Sequence, residues 1–362
     1  MRISTSAVLF SDNLRFSDFG TSVVPSMCES TLISGEIMSE AFPIPSETMI
    51  HFAHVAYRME ETYKSRSPKA KYFQTWSAED TINRIKEADV FVVSGFWDNA
   101  LLDHAKNLKY IQSIGAGYDQ FPLDELKHRG IRLANAAGVN QNAVAEHAIS
   151  MILGLNRHIH TGRDNQHTNT WRGMLGDLTK REDELVGKTM LIVGMGAIGS
   201  RLARFARAFD MKVLATKRNP STAEGPADQV LTPDKLGDLI PDADFVVLTC
   251  PLNSETTNII DQGSLSAMKS TAYLINVARG QCVDEPALVK ALKSGSIAGA
   301  AIDHFWTEPL EKDSEFWGME NVIITPHTGG ETRLYEERVI DILDDNLARI
   351  WRGKGVLRNE II

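Results

Sequence analysis

Arg279, Asp303, Glu308 and His327 are the residues whose types and spacing could do chemistry. Three of them follow short apolar runs that read as strands, at 272–277, 297–302 and 321–325, and Glu308 lies just beyond Asp303. In open parallel sheets, ligands bind outside the carboxyl ends of strands. An arginine there can clamp a carboxylate with two parallel hydrogen bonds. A histidine can give a proton to a carbonyl oxygen as hydride arrives, or take one from an alcohol in reverse. Glu308 can hydrogen-bond that imidazole, orient it and favour its charged form. Asp303 could accept from a nicotinamide amide. Each has a plainer reading alone: a surface ion pair, a loop carboxylate before Pro309, a structural histidine after Pro326. Together they suit hydride transfer at a 2-keto acid.

Such a transfer needs a hydride carrier, and residues 189–199 supply a place for one. Gly194, Gly196 and Gly199 stand in the spacing G-x-G-x-x-G, with Met195, Ala197 and Ile198 between them. The first glycine allows a sharp turn, the second lets a pyrophosphate approach the backbone, and the third lets a helix pack close on its strand. The amides at that helix start would face the phosphates. Residues 190–193 read as the strand before the turn; Ile198, Leu202, Phe205 and Phe209 follow at helical spacing, and a second strand is expected at 211–216. The pattern predicts a dinucleotide site. An NAD site usually has Asp or Glu at the end of the second strand, for the ribose 2′-hydroxyl. Here Ala215-Thr216-Lys217-Arg218-Asn219 has no acid until Glu224, and Lys217 and Arg218 stand where a 2′-phosphate would lie. NADP is therefore the expected cofactor, with NAD possible.

The elements that position these groups alternate. Strands are expected at 49–57, 71–74, 89–93, 109–113 and 131–134, with helices at 78–87, 99–106 and 123–129. Gly115-Ala116-Gly117 forms a second glycine turn after a strand. A long helix with few charges, 142–159, reads as buried or as an interface. Residues 160–187 read as a linker, 285–294 as a helix and 331–352 as a final helix of about six turns. This alternation predicts an α/β fold with parallel sheets. Residues 1–48 are Ser-rich without apolar periodicity and read as a poorly structured extension. The 362-residue length allows two cores. A net charge of −9 argues against nucleic acid or anionic membrane as a main partner. Cys28, Cys250 and Cys282 make no metal spacing and suit a reducing cytoplasm, and neither a transmembrane run nor a secretory signal is read.

These signatures resemble the D-isomer-specific 2-hydroxyacid dehydrogenases, within the formate/glycerate dehydrogenase superfamily. The motifs are 193–199, Leu274-Ile-Asn-Val-Ala-Arg-Gly280, Ala301-Ile-Asp-His-Phe-Trp-Thr-Glu-Pro309 and Ile324-Thr-Pro-His-Thr-Gly-Gly330. The resemblance implies Arg279, Glu308 and His327 as a catalytic trio, with His327 the proton donor. It implies that backbone amides at Gly115, Ala116 and Gly117 bind the substrate carboxylate with Arg279. It places Thr256, Val277, Ala278 and Asp303 near the cofactor. It also implies two Rossmann-like doubly wound lobes: a discontinuous substrate lobe from 49–150 and 331–362, and a dinucleotide lobe from 151–330. Homodimers through the dinucleotide lobe are expected, with the 142–159 helix suited to the interface. Two features depart from the common pattern. Asn140 and Ala145-Glu146-His147 resemble formate dehydrogenases, which however carry Gln where Glu308 stands; His147 otherwise reads as a packed interface histidine. Corepressors of the C-terminal binding protein type are nucleotide-sensing scaffolds, but the trio here is intact. Phe96, Trp97 and Trp306 are candidates to line the substrate pocket or to sit in the core, and the substrate side chain stays open among glyoxylate, hydroxypyruvate, pyruvate and bulkier keto acids.

Overall fold

The computed structural model describes residues 41–362 except Lys354; of the expected extension at 1–48, residues 1–40 lie outside the described residues. Two parallel sheets carry the fold. The first has five strands: β1 (Met49–Ala53), β2 (Lys71–Thr75), β3 (Val90–Val93), β4 (Tyr110–Ser113) and β5 (Arg132–Ala134), in the order β2-β1-β3-β4-β5. The second has seven: β6 (Thr189–Val193), β7 (Lys212–Thr216), β8 (Gln229–Leu231), β9 (Phe245–Leu248), β10 (Tyr273–Asn276), β11 (Gly299–Ile302) and β12 (Val322–Ile324). Their order is β12-β11-β10-β9-β6-β7-β8. Both orders reverse direction once, between β1 and β3 and between β6 and β9, and such reversals open a crevice at the strand ends.

The central strands are apolar because helices cover both faces of each sheet. Every residue of β6, β9 and β11 is buried. The helix Gln141–Asn156 lays Val144, Ala148, Met151, Ile152 and Leu155 on the second sheet, against Met190, Ile192 and Ile275. The last helix, Tyr335–Trp351, returns to the first sheet. Its residues Tyr335, Val339, Leu343 and Leu347 recur every four positions and pack with Ile50, Phe52, Val90 and Val92. Asn346, fully buried on the same helix, donates to Tyr110 Oη at 2.8 Å and accepts from the Arg358 amide at 2.7 Å. The chain end follows, with the Ile361 amide donating to the Leu133 carbonyl at 2.8 Å.

Local differences from the sequence expectation have local causes. The first strand ends at Ala53 rather than at 57, because His54 turns the chain by accepting the amides of Ala56 and Tyr57 on Nδ1. A helix at Met59–Ser65 was not expected. The expected helix at 99–106 is a short 3₁₀ segment, Asn99–Asp103, opened by the Asp98 carboxylate. The long helix breaks at His158, whose φ is 51°, and a second helix, Ile159–His167, occupies part of the expected linker. It buries no residue, so apolar periodicity could not reveal it. At the N-terminal side, 41–48 is packed rather than loose: Thr48 is fully buried and accepts from Trp351 Nε1 at 3.2 Å. Among the described residues no helix is long and apolar enough to cross a membrane.

His51 makes acid stability testable. It is fully buried on β1, stacked on Phe73 at 4.4 Å, with Nε2 bonded to Thr75 Oγ1 at 2.7 Å and Nδ1 without a partner. Burial first, and then the charge of Arg84, push its pKa down to about 3 from 6.5. The folded value lies below the unfolded one, so between these limits only the unfolded chain binds the proton. Stability is therefore lost as pH falls below 6.5 toward 3. In His51→Phe this loss should vanish, shifting relative stability in the variant's favour by up to about 1.4 kcal/mol per pH unit. Urea denaturation of both proteins from pH 7 to 4.5 checks this; a pH-independent difference overturns it.

Candidate active site

Strand register explains why distant residues meet. Asn276 pairs with Ile302, and Ile302 with Ile324, so β10, β11 and β12 end level. The residues that follow, Val277 to Arg279, Asp303 and Thr325 to His327, therefore emerge side by side. Val193 pairs with Leu248, which sets the Gly194 turn beside Thr249 and Cys250.

The three glycines serve three distinct needs. Gly194 has φ of 106°, and a Cβ there would stand 2.8 Å from the Cys250 backbone. At Gly199 a Cβ would lie 2.6 Å from the Gly194 carbonyl oxygen and 2.9 Å from Ile192 Cγ2, so only glycine lets the Ala197–Ala208 helix sit this close to β6. Gly196, at the helix N-cap, faces open space. A cavity of about 350 Å³ starts there, lined by Gly194, Gly196, Lys217, Arg218, Thr256 and Glu255 among others. A cradle of this kind, with a bare backbone at a helix start, fits a dinucleotide phosphate. Lys217 Nζ donates to the Thr222 carbonyl at 2.7 Å, while Arg218 is exposed and has no side-chain partner among the described residues. Ala197 is exposed at the helix start.

A second cavity, of about 620 Å³, opens where the ends of β1, β3 and β4 face those of β10 to β12. Arg279, His327, Val277, Ile198, Ala116 and Gly117 all line it. Arg279 Nη1 donates to the Ala278 carbonyl at 2.8 Å, and Nη2 stands 3.9 Å from Asp119 Oδ1. A Cβ on Gly117 would collide with the guanidinium, so the second glycine turn gives way to this side chain. Among the described residues the amides of Gly115, Ala116 and Gly117 donate to no protein atom. Free amides beside a cation are suited to an anion.

His327 has φ of 56°, and its Nδ1 bonds Glu308 Oε2 at 2.7 Å. Glu308 Oε1 accepts the Phe305 amide at 3.0 Å. Burial alone would raise the Glu308 carboxyl, but the hydrogen bond and charge of His327 outweigh it, so it lies below the ordinary glutamate value. Glu308 thus stays ionised behind the imidazole.

Asp303, expected near the cofactor, also holds the loop after β12. It is fully buried, and its carboxylate accepts from Thr325 Oγ1 at 2.6 Å, the Thr328 amide at 3.0 Å and the Gly329 amide at 3.1 Å. Its carbonyl accepts the His327 amide at 2.9 Å. Burial opposes its charge, but the bonds from His147 and Thr325 hold its pKa well below the usual carboxylate range. Asp303 therefore anchors the loop that carries His327. Trp306 lies away from this cavity, stacked on Phe316 and donating to the Val283 carbonyl at 2.8 Å. Trp97 lines the cavity, packed 4.8 Å from Phe121, while Phe96 packs into the first lobe's core.

Sequence reasoning missed several lining groups. His54 and Tyr57, stacked at 4.1 Å, lie just past β1 inside what reads as one strand. Tyr335 Oη donates to the Ile114 carbonyl at 3.1 Å. His304 packs its ring 3.8 Å from that of His327. Its Nδ1 lies 3.3 Å from Asp303 Oδ2, yet makes no hydrogen bond, and burial, then His327 and Arg279, push its pKa down to about 3. We read this as a neutral ring in contact, not an ion pair. The signal was an imidazole directly after Asp303.

Two parallel-sheet lobes, one with a G-x-G-x-x-G turn at its reversal point, are the architecture of a nicotinamide-dependent oxidoreductase. Residues 149–329 match the family model described as "D-isomer specific 2-hydroxyacid dehydrogenase, NAD binding domain". A glyoxylate reductase of Pyrococcus furiosus is 35% identical over 289 residues, covering 76% of this chain and 83% of that protein. The solved structure of a D-isomer specific 2-hydroxyacid dehydrogenase family protein from Aeromonas salmonicida superposes with a TM-score of 0.77 at 29% identity, covering 88% of this chain and 99% of that one. An NADPH-dependent glyoxylate/hydroxypyruvate reductase from Sinorhizobium meliloti, solved with NADP and malonate, gives 0.74 at 26%, covering 87% and 97%. The chain belongs to the D-isomer specific 2-hydroxyacid dehydrogenase family and is an NAD(P)-dependent oxidoreductase acting on the CH–OH group of 2-hydroxy acids.

Proposed function

We propose that the chain reduces a small 2-keto acid to its D-2-hydroxy acid with NADPH, and that His327, Glu308 and Arg279 do the chemistry. The observation that carries this reading is the His327–Glu308 pair at 2.7 Å on the wall of a cavity that also holds Arg279 and the unpaired amides of 115–117. Arg279 and the Ala116 and Gly117 amides bind and orient the carboxylate. When bound, the dinucleotide supplies the hydride to the carbonyl carbon. His327 gives its proton to the carbonyl oxygen, and Glu308 holds the ring and balances its charge. Gly194, Gly196 and Gly199 with Ala197 and Ile198 hold the pyrophosphate, and Thr256, Val277 and Ala278 flank the cofactor. A carboxylate rather than an amide partner on His327 supports keto-acid reduction over formate oxidation. The partition into 49–150 with 331–362, and 151–330, belongs to this reading, and the Gln141–Asn156 helix crosses its boundary to pack its buried face on the second sheet. Free buried Cys250 and Cys282 support a cytoplasmic setting.

His327→Asn should keep the fold and lower kcat by roughly 10²–10⁴-fold. Arg279→Ala should chiefly raise KM for the keto acid. Steady-state assays across glyoxylate, hydroxypyruvate and pyruvate check both, and near-parental turnover in His327→Asn would sink the mechanism.

Cofactor choice rests on Lys217 and Arg218. Two cations facing a phosphate dianion make charge-assisted bonds of roughly 1.5–3 kcal/mol each, so one bond amounts to tenfold or more in affinity. Arg218, exposed and unpaired, is the better placed of the two. The ratio of kcat/KM for NADPH over NADH should exceed one, and should fall by about tenfold or more in Lys217→Ala/Arg218→Ala. A parent that prefers NADH refutes the assignment.

The homodimer expected through the dinucleotide lobe is also supported by residues 168–187. Trp171 is 97% exposed, Met174 103% and Leu178 73%, a cost in water that a second copy would remove. Light scattering should give twice the chain mass, and Trp171→Ser/Met174→Ser should shift the protein toward monomer. A monomeric parent rejects the dimer.

A further inference from the structure

We infer that His147 is a positioning residue for the proton donor, acting through Thr325 and Asp303 rather than at an interface or on substrate. This rests on the reading of His327 as donor.

The inference follows from counting protons. His147 Nε2 lies 2.9 Å from Thr325 Oγ1 and 3.4 Å from Asp303 Oδ1, and Thr325 Oγ1 lies 2.6 Å from Asp303 Oδ1. An ionised carboxylate can only accept, so the single hydroxyl proton of Thr325 goes to Asp303. The hydroxyl must then accept from His147, which fixes the tautomer with a proton on Nε2. The short bonds run one way, His147 to Thr325 to Asp303, and the same Nε2 proton faces the Asp303 carboxylate at the longer distance. The same Asp303 oxygens take the amides of Thr328 and Gly329, so both sides of His327 are tied to one carboxylate.

His327 needs such a tie. Its φ of 56° is a left-handed conformation that a side-chain-bearing residue holds only when its surroundings impose it. The tie is also tight. A Cβ on Gly329 would lie 2.8 Å from Asp303 Oδ2 and 3.0 Å from His147 Cδ2, so the loop is pressed against both groups. The Gln141–Asn156 helix is fixed in turn by its buried face, and a Cβ on Gly154 would touch Ile323 of β12 at 3.1 Å. His147 thus transmits a rigid helix position to the loop beside the substrate cavity. Its side chain is 20% exposed, does not line that cavity, and makes no contact with the dinucleotide cleft.

The test uses the full chain, glyoxylate and NADPH. His147→Ala should lower kcat by about 10–100-fold, the cost of a donor displaced by a fraction of an ångström to one ångström. NADPH affinity by fluorescence should stay within about twofold. His147→Gln, whose amide can donate to Thr325, should recover most of the rate, and Thr325→Val should reproduce the loss without changing side-chain shape. In ¹⁵N-histidine-labelled protein the His327 Nδ1–H resonance, expected downfield and slow to exchange in the parent, should broaden or exchange faster in His147→Ala. Adding His147→Ala to His327→Asn should cost little more, because both act on one event. Parental kcat and an unchanged His327 resonance in both His147→Ala and Thr325→Val overturn the inference. If His147→Ala does not fold, His147→Gln and Thr325→Val decide it by the same readouts. Full activity in His327→Asn instead overturns the donor reading itself, so the two failures are distinguishable.

Discussion

Burying an ionised carboxylate is costly unless donors surround it, and Asp303 is surrounded. Thr325 and the amides of Thr328 and Gly329 converge on its oxygens, and its own carbonyl takes the His327 amide. This single residue at the end of β11 converts three loose positions after β12 into a fixed turn. His327 then meets Glu308 at hydrogen-bond distance from a defined direction. Remove the carboxylate and the amides of the turn are left without partners; remove the donors and an unpaired charge is left in the core. Either change breaks the loop before it reaches the chemistry.

The cavity exists because the two sheets present their strand ends to each other. One reverses order beside β1, the other beside β6. Each reversal leaves a gap that helices do not cover, and the gaps bring glycine turns to the same region from both sides: Gly115 to Gly117 from the first sheet and Gly194 to Gly199 from the second. Arg279 crosses between them, reaching from β10 to lie against Gly117. The division of labour follows from residue chemistry. Bare backbone is suited to anions, a guanidinium adds positive charge, and an imidazole beside a carboxylate can hold or release a proton.

Much of this was legible in the sequence. The strand–turn–helix around Gly194 announces itself by spacing, and the apolar runs before Arg279, Asp303 and His327 place those groups at strand ends. Periodicity finds elements that bury a face, which is why the exposed Ile159–His167 helix went unseen. Residue type suggests what a group can do, not which neighbour it spends itself on. Asp303 reads from the sequence as a cofactor contact, and its hold on the loop shows only in its burial and its bonds to Thr325, Thr328 and Gly329. Trp306 looks like a pocket wall beside Glu308, but its indole proton is used by the Val283 carbonyl and its face by Phe316. His304 and Tyr335 enter the site through contacts between segments that no local pattern encodes.

The returning helix has a consequence for how the chain matures on the ribosome. The first sheet's core includes Val339, Leu343 and Leu347, and β5 is completed by Ile361 and Ile362. These residues are synthesised after the whole of the second sheet. At roughly 5–20 residues per second, β1 to β5 wait on the order of ten seconds or more with that face uncovered. The dinucleotide half, contiguous in the chain, can close first. A nascent polypeptide that stalls before Tyr335 would thus present an apolar sheet surface that only chaperones could shield, and the N-terminal lobe is the later one to become native.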